Sequence, residues 1–192
     1  MEQSLGKCDW LRAARLALLH GGVEAVRVER LARELHVTKG SFYWHFSDRE
    51  ELLEILLQEW EQELSDQIIP QLRERKGSEA LSFLVRLLVK RVPLGEQGLL
   101  PSDAAIFTWA AVSPAVGERV NRAEGERIRL LKQIVGNAHL VELLYLVWLG
   151  FVARGQRVPE SRKRFPEIAR MMLELSSSET QKRRKKSAKA LR

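Results

Sequence analysis

Apolar residues recur at helical spacing from the first positions of the chain. Leu11, Ala14 and Leu18 form one stripe with Trp10, Ala13 and Ala17 beside it, the i, i+3, i+4, i+7 pattern of an amphipathic helix. Gly21-Gly22 predicts its end. Val28, Leu31, Ala32 and Leu35 share a face over a second, shorter helix from about Val28 to Leu35. Val37-Thr38-Lys39-Gly40 then reads as a turn, with Thr38 placed to cap a third short helix ending near Phe46. Ser47-Asp48 caps a fourth, whose first turn holds Glu50 and Glu51, where the helix macrodipole favours acids. Its stripe of Leu52, Leu53, Leu56, Leu57 and Trp60 is expected to continue toward Ile69, where Pro70 disturbs it.

The same period persists further on. A helix is predicted from about Ser78 to Arg91, then a breaker region from Pro93 to Pro101. Another helix holds Ile106, Phe107, Trp109 and Ala110 and stops before Pro114. One from about Ala115 to Val135 is softened at Gly117 and Gly125. Val141 to Arg154 is apolar nearly all round, which predicts a helix buried on more than one side. Arg157 to Arg164 reads as a charged linker, and Pro166 opens a last helix ending near Leu175. Alternating β-branched residues are nearly absent, so the fold class is all-α, with about nine helices.

Composition changes this picture little. At 192 residues, 45% hydrophobic and 30% charged, the chain has room for one folded domain, or for a small domain sharing a core with a larger one. The single cysteine, Cys8, excludes an internal disulfide and a multi-cysteine zinc site, and points to a reducing compartment. The longest apolar run without a charge, Leu143 to Ala153, is eleven residues, short of the roughly 20 that cross a bilayer. Glu2 precedes Arg12 and Arg15 at the N-terminus, the wrong order for a secretory signal, so no membrane association and a cytoplasmic location are expected.

Charge is more informative. The net charge is +7, yet Glu179 to Arg192 carries seven basic residues and one acid, a net of +6 that leaves only +1 for residues 1 to 178. The basic excess is therefore a tail, residues 177–192, which reads as a disordered arm. Any affinity of the folded part for nucleic acid must come from a local motif.

Such a motif lies between Val28 and Phe46, where two short helices joined by a tight turn have helix-turn-helix dimensions. Phe42 and Phe46 are four apart, so both point at Leu31, Leu35 and Val37. The opposite face then presents Lys39, Gly40, Tyr43 and Trp44. Gly40 permits close approach of backbone to a phosphate or base edge, and Lys39, Tyr43, His45 and the amides at the helix start can donate to phosphates.

Gly22 to Val26, followed by Leu31 to Leu53 with its Phe42-Tyr43-Trp44-His45-Phe46 run and Arg49 three residues on, resembles the DNA-binding domain of the tetracycline-repressor (TetR) family. The resemblance covers roughly residues 8 to 55. It implies that Lys39, Gly40, Ser41 and Trp44 meet bases, and that Thr38, Tyr43, His45 and Arg49 contact phosphates. Three positions depart from the family pattern. Arg27 stands where a Ser or Thr often caps the second helix, so either the cap is lost or Arg27 reaches a phosphate. Glu29 replaces a basic or polar residue and would repel the DNA backbone or accept from a cytosine amino group. His36 replaces a turn glycine, at modest cost because histidine tolerates positive φ better than most residues.

The organisation implied is a DNA-binding domain over 1–55, an effector-binding and dimerisation domain over 56–176, and the tail. The function implied is a ligand-responsive regulator, most simply a repressor, that binds a palindromic operator in double-stranded DNA as a homodimer and is released by a small hydrophobic effector. Phe83, Phe107, Trp109, Tyr145 and Trp148 each fit a core position, and as a set they also fit an effector pocket, with Asn121 and His139 as polar handles. Rival readings are a helical enzyme and a protein-binding helical adaptor. No nucleophile with base, metal-ligand cluster or phosphate loop stands out in the sequence, so no catalytic residue, metal or cofactor is assigned.

Overall fold

In the computed structural model, which describes residues 5–63, 66, 68–91 and 102–174, the apolar stripes fold as helices. They are α1 (Lys7–Gly21), α2 (Val28–Glu34), α3 (Lys39–Tyr43), α4 (Arg49–Glu63), α5 (Ile69–Arg73), α6 (Ser78–Arg91), α7 (Ser102–Val112), α8 (Pro114–Val135) and α9 (Ala138–Arg157). Short 3-10 turns occupy Val23–Ala25 and Pro159–Arg164, and residues 165–174 are again helical. The predicted all-α class holds; every regular element among the described residues is a helix. The breaker region Pro93 to Pro101 and the basic tail lie outside the described residues.

One proline position needs correction. Pro70 sits in the first turn of α5 and Pro114 at the start of α8, where a missing N–H removes nothing a helix would use. Pro70 thus begins a helix rather than disturbing one, whereas α7 ends at Val112, before Pro114, as expected. Gly117 and Gly125 leave α8 unbroken. At Gly117 a Cβ would stand 3.1 Å from the Ala110 carbonyl oxygen, so glycine lets α8 pack closely on the end of α7.

Two compact units emerge. α1 to α4, α7 and α8 through Ala123 form the first; α5, α6, α8 from Glu124, α9 and the residues after it form the second. In the first unit Trp10, Ala14, Leu18, Leu31, Phe42, Leu52 and Leu57 are fully buried or nearly so, and Ala105, Ile106, Val116 and Val120 join the same cluster. Trp60 of α4 donates its indole N–H to Asp103 of α7 at 2.5 Å in the interior. Arg119 of α8 forks onto α4, with Nε and Nη2 on the two carboxylate oxygens of Glu61 (2.9 and 2.7 Å) and Nη1 on Glu54 (2.6 Å). Glu54 and Glu61 are seven residues apart and share a helix face, which lets one guanidinium reach both. The Arg119 hydrogen bond holds the Glu54 carboxyl below its usual range, and Glu61 followed by Glu54 raises the guanidinium further.

In the second unit Asn137 caps α9 by accepting from the Leu140 amide at 3.2 Å. Val141, Leu144, Trp148 and Phe151 are buried along one stripe, the latter two against Phe165. The expected burial on several sides is not what the chain provides, since Leu143 is 49% and Leu146 65% exposed. No element among the described residues covers that side. The charged stretch expected as a linker is largely a 3-10 turn, Pro159–Arg164. One further expectation needs correction. Counting only uncharged runs missed that Ala138–Gly155, with a mean hydropathy of 1.3, is long and apolar enough by length and composition to cross a membrane. Two of its polar positions have partners in this unit: Glu142 pairs with Lys132, and the Tyr145 hydroxyl donates to Glu124, both at 2.5 Å.

Candidate nucleic-acid interface

The turn between α2 and α3 is built by a single unusual backbone. His36 has φ of 56°, the left-handed conformation that glycine adopts most easily. With His36 there, its amide reaches the Arg33 carbonyl at 3.2 Å and the Val37 amide reaches the Ala32 carbonyl at 2.9 Å, the Schellman arrangement that closes a helix end. The chain thus turns into α3 without glycine. Arg27 precedes α2 at its other end. It makes no side-chain cap, and its Nε donates to the Glu24 carbonyl at 2.9 Å. Thr38 precedes α3 but also makes no side-chain cap, contrary to expectation, and its exposed hydroxyl is not drawn into the helix end.

α3 has only five residues, far too few to be stable alone, so tertiary contacts must hold it. Phe42 supplies them: it is fully buried, stacks on Phe46 with centroids 5.0 Å apart, and meets the edge of Trp10 at 5.2 Å. The side opposite is open. Trp44 is 88% and Tyr43 60% exposed, a large aromatic surface for a folded unit to leave in water. Gly40 has no positive φ, and a Cβ there would meet only the Thr38 hydroxyl at 3.6 Å, so the fold itself has no need of glycine at this point. Ser41 is half-buried beside it.

Three expected contact residues carry internal bonds as well. Arg49 donates from Nε to the Val26 carbonyl (2.6 Å) and from Nη2 to the Val23 carbonyl (2.8 Å), tying the start of α4 to the loop before α2. His45 Nε2 lies 3.1 Å from the Leu5 carbonyl, which ties the recognition turn to the segment before α1. Lys39 Nζ lies 2.6 Å from Glu29 of α2. Asp48 caps α4 by accepting from the Glu51 amide at 2.8 Å, and the Glu51 carboxylate returns to the amide and hydroxyl of Ser47, which hold it below its usual range.

A buried aromatic anchor, a tight turn and an exposed polar-aromatic face are the working parts of a helix-turn-helix reader. Residues 11–56 match the family model described as bacterial regulatory proteins, tetR family. Residues 11–56 therefore carry a TetR-type DNA-binding domain. No curated protein matches it. The match spans α1 through the first half of α4, so the TetR-type domain contains every residue expected at the DNA, and its presence makes the chain a DNA-binding transcriptional regulator.

The residues expected at an effector divide between the units. In the first, Phe107 meets the edge of Trp60 at 6.0 Å, Trp109 packs against the core, and Asn121 is exposed. In the second, Phe83 lies under the Arg75 guanidinium at 4.2 Å, Trp148 is buried on Phe165, Tyr145 is half-buried, and His139 is exposed. Sequence reasoning missed the role of Glu29 as partner to Lys39. Ten residues and a turn separate them, so no helical spacing signals the pair.

Proposed function

We propose that this chain is a TetR-family regulator that binds a palindromic operator as a homodimer through α3, most simply as a repressor, and that a small hydrophobic effector releases it. The observation that carries the reading is Trp44, almost wholly exposed on a recognition helix whose inner face is fully buried. Lys39, Gly40, Ser41 and Trp44 then meet bases, while Arg27, Thr38, Tyr43, His45 and Arg49 approach phosphates. A regulator acting on DNA in this way works in the cytoplasm. The exposed Leu143 and Leu146 of α9 support pairing with a second copy, because a two-fold axis would bury the same apolar strip on both partners. Selection of bound duplexes from a random pool tests the reading, with enrichment of a palindrome as the expected result. Trp44→Ala should lower affinity for the selected site by about 1–3 kcal/mol while leaving random DNA almost unaffected. Equal losses on both would mean that a different face reads the DNA.

The coupling route follows from contacts inside the first unit. The Arg119 fork and the Trp60–Asp103 bond join α8 and α7 to α4, so a displacement of either helix acts directly on the helix that follows the reader. In the second unit, Phe83, Tyr145 and Trp148 offer aromatic surface to an apolar effector with one or two polar groups. Effector and operator bias one equilibrium, so their effects on each other are reciprocal. In a thermal-shift screen of mixed compounds, those that raise the melting temperature should also release operator. Hits confined to charged, hydrophilic molecules would overturn the hydrophobic assignment.

A further inference from the structure

We propose that Glu29 is a positioning residue for Lys39, and that the two side chains act as one unit that discourages binding to arbitrary DNA and favours a G·C pair in the operator. The proposal rests on the reading that α3 faces DNA. Its geometric basis is the 2.6 Å contact between the second residue of α2 and the first residue of α3. The two side chains are 57% and 56% exposed, so they lie on the surface beside Gly40 and Thr38 rather than in the core. An exposed pair of this kind adds little to stability, and the turn is already closed by the bonds of His36 and Val37. The helix macrodipole favours an acid in the first turn of α2, but it gives no reason for that acid to close on Lys39 at the rim of a DNA-reading face.

Electrostatics supplies one. A lone lysine at that rim would attract the phosphates of any sequence, and each phosphate neutralised adds about 0.9 to the salt dependence of binding. With Glu29 in contact, a phosphate must displace a carboxylate to reach the ammonium and then sit beside that carboxylate. The lysine hydrogen bond holds the Glu29 carboxyl below its usual range, so the acid is ionised throughout the neutral region. Base edges differ from phosphates in carrying both donors and acceptors. In the major groove a G·C pair presents the O6 and N7 acceptors of guanine beside the N4 donor of cytosine. An ammonium and a carboxylate side by side match that pattern, the lysine donating to guanine and the glutamate accepting from cytosine. An A·T pair also has an amino donor, on adenine N6, but it lies between two single acceptors, adenine N7 and thymine O4, so only a G·C pair offers the ammonium two adjacent acceptors with a donor for the carboxylate beside them.

The experiment compares the full-length protein with Glu29→Gln and Lys39→Met, measuring salt dependence of binding to a random duplex and base preference by selection from a random pool. Glu29→Gln should melt like the parent, bind random DNA several-fold more tightly at low salt, and steepen its salt dependence by about 0.9 per subunit. It should also relax a G·C preference at one position in each half-site. An unchanged salt slope overturns the proposal, as does an unchanged base preference. Lys39→Met separates failure here from failure of the face itself. If it weakens operator binding while Glu29→Gln is inert, α3 faces DNA and only the role of Glu29 is lost; if it affects no DNA at all, both readings fall.

Discussion

Phe42→Ala should destabilise the first unit by about 3–5 kcal/mol, the range for removing a fully buried phenylalanine. The side chain has no exposed surface and is held between Phe46 and the edge of Trp10. Deleting it removes apolar burial and leaves a cavity that two rigid aromatics cannot easily close. Total domain stabilities are usually about 5–15 kcal/mol, so this is a large fraction. The functional loss should come first. A five-residue α3 has no stability of its own, and without Phe42 nothing fixes it to α1 through Trp10. Operator binding should therefore fail under conditions where most of the far-ultraviolet helical signal persists. Phe42→Leu, which keeps most of the volume, should recover most of both. A denaturant midpoint for Phe42→Ala close to that of the parent would show that α3 is anchored elsewhere.

Arg49→Ala should cost about 2–3 kcal/mol of stability in addition to any loss of DNA affinity. The family resemblance places Arg49 at a phosphate, which alone would predict an unchanged melting temperature and a salt dependence flatter by about 0.9 for each phosphate that the arginine neutralises. The structure adds the bonds to Val26 and Val23, and hydrogen bonds from a charged donor are worth about 1.5–3 kcal/mol each. These bonds pin the loop before α2 to the start of α4, so their loss should also loosen the reader. Arg49→Lys separates the two contributions. It keeps the charge but loses the planar fork, since an ammonium cannot serve two carbonyls in that geometry as a guanidinium does. The lysine variant should keep the parent's salt slope and still melt early. If Arg49→Ala melts like the parent, the carbonyl bonds are incidental and the residue serves DNA alone.

The reader was legible in the sequence because its determinants are local. The four-residue interval between Phe42 and Phe46 assigns the inner face of α3, and assigning one face of so short a helix leaves Trp44 and Tyr43 nowhere but outside. The same holds for α1, whose stripe from Trp10 to Leu18 is buried as its spacing demands. Gly22, with φ of 69°, ends that helix as a glycine pair predicts. Even the turn at His36 was foreseeable, since positive φ is a property of one residue and its side chain.

Tertiary structure decided what depends on partners distant in sequence. Trp60 reads as one more apolar position of α4 until Asp103, 43 residues away, is found to accept its N–H. Arg119 gives no sign in its neighbours that it will bridge Glu54 and Glu61, and Arg49 none that it will close on carbonyls 23 and 26 residues before it. These contacts place α7 and the first part of α8 in the unit that reads DNA. Pro70 and Pro114 show the same division on a smaller scale: proline fixes φ and removes one donor wherever it occurs, but whether that ends a helix or begins one depends on where the chain turns. Side-chain periodicity is a property of the backbone helix and is written in the sequence at a spacing of three or four. Which charge meets which carbonyl or carboxylate depends on how the helices pack, and only the folded chain brings those groups within hydrogen-bonding distance.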